Sequence, residues 1–128
     1  MMEGKKKLIQ ELQVLPEVIS RKELAVMELL ESVEESKQDC TILENMKMME
    51  IVSEKLTEEG KIKLKFPNPE ARAAELSRLL VTDITYLDKQ SKLKDYQLAL
   101  NNRKVELNFL LNKQSNLRAI TRLYGNEE

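Results

Sequence analysis

No histidine occurs in this chain. That absence removes the commonest general base at neutral pH and the commonest metal ligand. Cysteine appears once, at Cys40, which excludes an intrachain disulfide and suits a reducing cytoplasm. Without histidine, that thiol cannot build a Cys-His nucleophile or a zinc site. The only glycines are Gly4, Gly60 and Gly125, too scattered for a loop that cradles phosphate. Aromatic residues make up 4%, so positions for stacking bases are few. No run of about 18 apolar residues is present, and nothing reads as membrane-spanning. After the basic residues 1–7 comes amphipathic, acidic sequence instead of the apolar core of a signal peptide. The net charge of −1 gives no global attraction to nucleic acid or anionic lipid. These absences predict a cytoplasmic protein with no cofactor, no membrane contact and no catalytic centre.

What is present is helix. Charged residues reach 34% of the 128, a coiled-coil-like composition. The organising stretch runs from Pro69 to Tyr124. Alternate steps of three and four give Leu79, Thr82, Tyr86, Lys89, Leu93, Tyr96, Leu100, Arg103, Leu107, Leu110, Gln114, Leu117, Thr121 and Tyr124. This is the seam of a heptad repeat, in which positions about every 3.5 residues share one face. Leu76, Leu80, Leu87, Phe109, Leu111 and Ile120 widen the stripe, as in a bundle. Asn68 is placed to cap the helix, Pro69 suits its first turn, and Gly125 with Asn126 supplies a stop. About 55 residues at this rise make a rod of about 80 Å, which needs a partner along its length.

The remainder supplies one. Residues 1–7 read as a basic tail, and 8–59 as a first helix interrupted near Pro16. The polar segment 34–39 leaves three readings, a bend, a solvated stretch or a break; a continuous helix is favoured. Residues 60–68 form a connector in which Lys61 to Phe66 alternates charged and apolar residues, the signature of an extended segment. A lone strand cannot satisfy its own backbone, so pairing with the same segment of a second subunit competes with a solvated connector. Residues 69–124 form the second helix. Glu11 to Glu59 holds 13 acidic and 5 basic residues, and Lys89 to Arg122 holds 8 basic and 2 acidic, which favours antiparallel pairing of an acidic helix with a basic one. The predicted fold is all-α: a long antiparallel helical hairpin, one domain over 1–128, assembling into a homo-oligomeric bundle. Its oligomer seam is Leu93, Tyr96, Leu100, Arg103, Leu107, Leu110, Gln114 and Leu117. Arg103 and Gln114 would fix register there.

Three functions compete. The first is a non-catalytic interaction or adaptor protein with a protein partner. The second is a DNA-binding accessory whose phosphate contacts would be Lys61, Lys63, Lys65, Lys104, Lys113, Arg118 and Arg122. The third is a Mg²⁺-dependent all-α nucleotide pyrophosphohydrolase, since Glu28-x-x-Glu31 matches half of the carboxylate pattern of those enzymes. The second half fails: Glu75 and Asp83 are wrongly spaced, and Glu50/Glu54 lack a third partner. Met27, Met46, Met48 and Met49 read as core filling before they read as an adaptable surface.

From Gly60-Lys61 through Pro67-Asn68-Pro69-Glu70-Ala71-Arg72 to Leu117-Arg118-Ala119-Ile120, the C-terminal half resembles small helical proteins of phages and mobile elements of Gram-positive bacteria. These are often encoded near single-strand-annealing recombinases. The resemblance implies a setting in DNA recombination or replication and no catalytic residues. A second likeness is to prefoldin-type chaperone subunits, which join two coiled-coil helices through β-hairpins; the connector here reads as too short for hairpins.

Overall fold

A computed structural model describes residues 2–126. In chain order it contains α1 (Met2–Ser53), β1 (Lys55–Glu58), β2 (Lys61–Leu64), α2 (Pro69–Thr82) and α3 (Ile84–Asn126). The all-α class holds, with one small hairpin added. The chain divides into two compact units, Met1–Glu31 with Gln97–Glu128, and Ser32–Tyr96.

In the first unit, α1 and α3 run antiparallel. Lys22 of α1 meets Glu106 of α3 at 2.7 Å, and Gly4 lies beside the Tyr124 hydroxyl. Leu15, Ile19 and Leu117 are buried together, with Leu8, Leu12, Leu107 and Leu110 packed around them. Leu8, Leu12, Leu15, Ile19, Lys22, Val26 and Leu29 of α1 leave solvent here at alternate steps of four and three, flanked by half-buried Glu11, Val18 and Ala25. This contact replaces the predicted tail, since residues 2–7 are helical. Nor does Pro16 interrupt α1. A proline removes one backbone hydrogen bond and crowds the preceding turn. Here Pro16 is solvent-exposed while Leu12, Leu15 and Ile19 hold the helix down on either side of it.

In the second unit α1 continues through 34–39 without a break, as favoured from sequence. Ser36 is buried between Val33 and Cys40, so the polar stretch keeps the heptad spacing with a small residue on the seam. Lys89 reaches Asp39 at 3.5 Å, Lys47 reaches Asp83 at 3.7 Å, and the Tyr86 hydroxyl donates to Glu44 at 2.5 Å. Again the helices run antiparallel.

Three boundaries differ from expectation. First, α1 stops at Ser53 instead of 59, and residues 55–58 pair with 61–64 in the register Lys55↔Leu64 to Glu58↔Lys61. The extended segment 61–66 therefore finds its partner in its own chain, and the connector does form a hairpin. The turn explains why. Glu59 (φ 53) and Gly60 (φ 77) both lie in the left-handed region, as a two-residue type I′ turn demands. Second, the long second helix is split at Asp83 (φ −80, ψ 106). The Asp83 carboxylate accepts the Tyr86 N–H at 3.1 Å and starts α3. An aspartate among β-branched neighbours (Val81, Thr82, Ile84, Thr85) favours a cap over helix interior. Third, α3 runs on through Asn126, past 124. The predicted start of α2 is as expected: Asn68 Oδ1 accepts the Ala71 N–H at 2.7 Å.

Candidate functional site

The predicted oligomer seam is the face that α3 uses inside the chain. Leu100 and Leu117 are buried, and Leu93, Leu107, Leu110 and Gln114 are half-buried. In the first unit Leu107, Leu110 and Leu117 pack on Leu8, Leu12, Leu15 and Ile19. The rod's partner along this stretch is α1 of the same chain. Tyr96 and Arg103, also placed on the seam, are exposed. Arg103 turns out of the seam because its guanidinium meets Glu106 one turn on, at 3.1 Å, and Glu106 also takes Lys22. Those two cations, Lys22 foremost, hold the Glu106 carboxyl below the usual carboxylate range. Arg103 does not act as a buried register residue.

The predicted acid-on-base pairing is only partly realised. Asp39–Lys89 runs from an acidic α1 to a basic α3. Lys22–Glu106 and Lys47–Asp83 run the other way, with the lysine on α1. Net charge summed over a helix says little about which few residues face the neighbour.

The candidate phosphate contacts do not share one surface. Along α3, Lys104, Arg118 and Arg122 are spaced by fourteen and four residues and lie on one exposed side. Lys113, nine residues from Lys104, falls on the opposite side and lines a groove beside Leu110. Lys61 and Lys63 are on β2. Lys63 approaches Glu58 at 4.0 Å, Lys65 pairs with Glu54 at 3.4 Å, and its ammonium sits 5.4 Å from the Phe66 ring centroid. Glu28 and Glu31 are exposed on α1. No group of three or more carboxylate or thiol side chains among the described residues comes together to hold a metal ion.

One polar cluster was invisible in the sequence. Tyr86 is buried in the second unit; its hydroxyl donates to Glu44 and accepts from the Gln90 amide at 2.8 Å. Burial first, and then the neighbouring Glu44, push its phenol up to about 12. Cys40, also buried, is pushed up by desolvation and then by Glu44 and Asp39. A raised thiol is a poor nucleophile. The cluster locks α1 to α3 at one register; contacts of forty-two residues' separation leave no local pattern in sequence.

Part of the exposed surface is apolar. On α3, Leu98, Val105, Phe109 and Leu123 recur at spacings that return to one side of the helix, and they are 63–69% exposed. Val14 and Val18 of α1 face Val105, Phe109 and Leu110 across an open groove. Its two adjoining concavities measure about 400 and 460 Å³. Met27, Met46 and Met49 are also more than half exposed, so the methionines are largely not core filling. Isolated exposed apolar residues are ordinary, whereas adjoining ones mark a binding surface. Here the adjoining ones are Val105 and Phe109, one turn apart beside Val18, while Asn102, Asn112 and Asn116 separate them from Leu98 and Leu123. Phe109 and Ile120, which widen the heptad stripe in sequence, are exposed and not part of a broad core. No helix among the described residues is long and apolar enough to cross a membrane. No family profile, no curated protein and no solved structure matches the chain.

Proposed function

We propose that this is a non-catalytic helical interaction protein, an adaptor that holds a protein partner on the apolar side of α3. One observation carries the reading. The α1–α3 seam uses its own leucines, and yet Val105 and Phe109 of α3 stay open beside Val14 and Val18 of α1, with Leu98 and Leu123 exposed farther along the same side. A helix with one apolar stripe covered and an apolar patch open is built for a further helix or an apolar groove. The likeness of its C-terminal half to phage and mobile-element proteins is the basis for setting that partner in DNA recombination or replication. A second reading has its own observation. Lys104, Arg118 and Arg122 share an exposed side and make no ion pair among the described residues, as a phosphate-tracking face would require.

The test is capture of partners by tagged wild type and by Phe109→Asp, from cells that carry the gene, beside DNA titrations at low and high salt. Partner capture abolished by Phe109→Asp, with no salt-sensitive DNA binding, supports the adaptor. DNA binding that vanishes at high salt and falls in Lys104→Glu would replace it with the second reading.

A further inference from the structure

The Val14–Val18 face of α1 is self-complementary. Counting outward from Pro16, a valine stands two residues away in each direction, Val14 and Val18. A charged residue stands five away in each, Glu11 on one side and Arg21 on the other. The spacings three, four and three keep all four side chains on one face of the helix. In the first unit Glu11, Val14 and Val18 line one concavity with Leu110 and Lys113 of α3, and Val18 and Arg21 line another with Lys22 and with Arg103 of α3. Glu11 and Val18 are half-buried there, and Val14 and Arg21 are exposed. Pro16 sits half a helical turn away, on the opposite side, and does not obstruct this face.

An antiparallel pairing of two such faces, with its two-fold axis at the level of Pro16, brings each Val14 opposite the other copy's Val18. It brings each Glu11 opposite the other copy's Arg21. A parallel pairing would set Glu11 against Glu11 and Arg21 against Arg21. The charges therefore choose both the partner and its direction, which is how a flanking charge pattern sets specificity. Val14 is 59% exposed, so apolar surface remains to be covered. Arg21 now pairs with Glu17 of its own helix at 2.6 Å, with both side chains in solvent, and the second copy adds a second carboxylate.

From this charge complementarity we infer that the Glu11–Arg21 face of α1 binds a second copy of this chain, forming an antiparallel two-fold dimer centred at Pro16. This goes beyond the adaptor reading. Val18 borders the same groove as Val105 and Phe109, so the charge exchanges at Glu11 and Arg21, which leave Val105 and Phe109 intact, are what separate the two.

The experiment is sedimentation equilibrium on the full chain over a hundredfold concentration range, with helicity followed in parallel by circular dichroism. Four proteins are compared: wild type, Glu11→Arg, Arg21→Glu and the double exchange. Wild type should be a dimer. Each single variant should weaken association about tenfold, because every dimer then meets two like-charge contacts. The double exchange should restore it. Val14→Lys, with its charge at the centre of the face, should be monomeric and fully helical. A monomeric wild type overturns the proposal, as does a dimer indifferent to both single exchanges, or a double exchange no tighter than the singles. A monomer that still captures a partner through Phe109 would leave the adaptor reading standing.

Discussion

Leu117→Ala is the perturbation whose magnitude the structure specifies best. Leu117 is 8% exposed and sits with Leu15 and Ile19, surrounded by Leu8, Leu12, Leu107 and Leu110. Truncation removes three carbons that are almost wholly out of water, a transfer loss of about 2.4 kcal/mol at about 0.8 kcal/mol per methylene. A cavity contribution adds to that, kept small because a two-helix layer can settle inward. The expected total is about 3 kcal/mol, inside the range for buried leucines. For a chain of this size that is a fall of about 10 °C in Tm. The assay is urea and thermal unfolding followed by far-UV circular dichroism, at two protein concentrations a factor of ten apart. Every neighbour of Leu117 in this cluster belongs to the same chain, so the decrement should be equal at both concentrations. A loss below about 1 kcal/mol would mean that the cluster is not the core of the first unit. A decrement that appears only on dilution would refute an intrachain seam and reinstate one between subunits. By the same reasoning Leu100→Asp, which buries a charge, should unfold the chain instead of dissociating an assembly.

Three further outcomes follow from particular contacts. Tyr86 has a folded phenol pushed up to about 12 from an ordinary value of 10. Its neutral form therefore contributes stability that is fully present below pH 10 and lost as pH rises through 12. Wild type should show an alkaline loss of order 2 kcal/mol in that window which Tyr86→Phe lacks, measured as the difference between their urea midpoints. Glu59→Asn, at φ 53 beside Gly60, puts the preferred residue into a type I′ turn. It should stabilise the hairpin by about 0.5–1 kcal/mol, read by hydrogen exchange of the β1–β2 amides. Ser36→Ala keeps the small seam residue between Val33 and Cys40 and trades a hydroxyl for better helix propensity. It should raise stability by about 0.5 kcal/mol, whereas Ser36→Leu should cost about 1–3 kcal/mol by overpacking.

The parts of this fold that depend on periodicity were legible in the sequence. The Leu93 to Leu117 heptads gave the packed face of α3, and Asn68-Pro69 gave the start of α2, because both signals are local. The partner of that face was not legible, since a heptad seam looks the same whether its mate lies in the same chain or in another. The seam of α1 was missed for a related reason. It passes through Lys22, Ser36 and Lys47, whose side chains hide a regular three-four spacing from any count of apolar residues. β1 was read as helix because Lys55-Leu56-Thr57-Glu58 carries no turn signal of its own. Only Gly60, combined with a positive φ that Glu59 must share, makes it half of a hairpin. The binding surface was blurred because Phe109 and Ile120 were absorbed into a wide core, and exposure is a property of the packed chain.

The central claim is that α1 and α3 close on each other within one chain. Zero-length carbodiimide coupling tests it directly, because Lys22 Nζ lies 2.7 Å from Glu106 Oε2 and Lys89 Nζ lies 3.5 Å from Asp39 Oδ2. Equal amounts of ¹⁴N and ¹⁵N protein are unfolded together, refolded and coupled, and the Lys22–Glu106 and Lys89–Asp39 peptides are weighed by mass spectrometry. An intrachain seam yields only all-light and all-heavy cross-linked peptides. Mixed light–heavy peptides at the statistical proportion would show that the helices pair between chains, and the fold described here would be wrong.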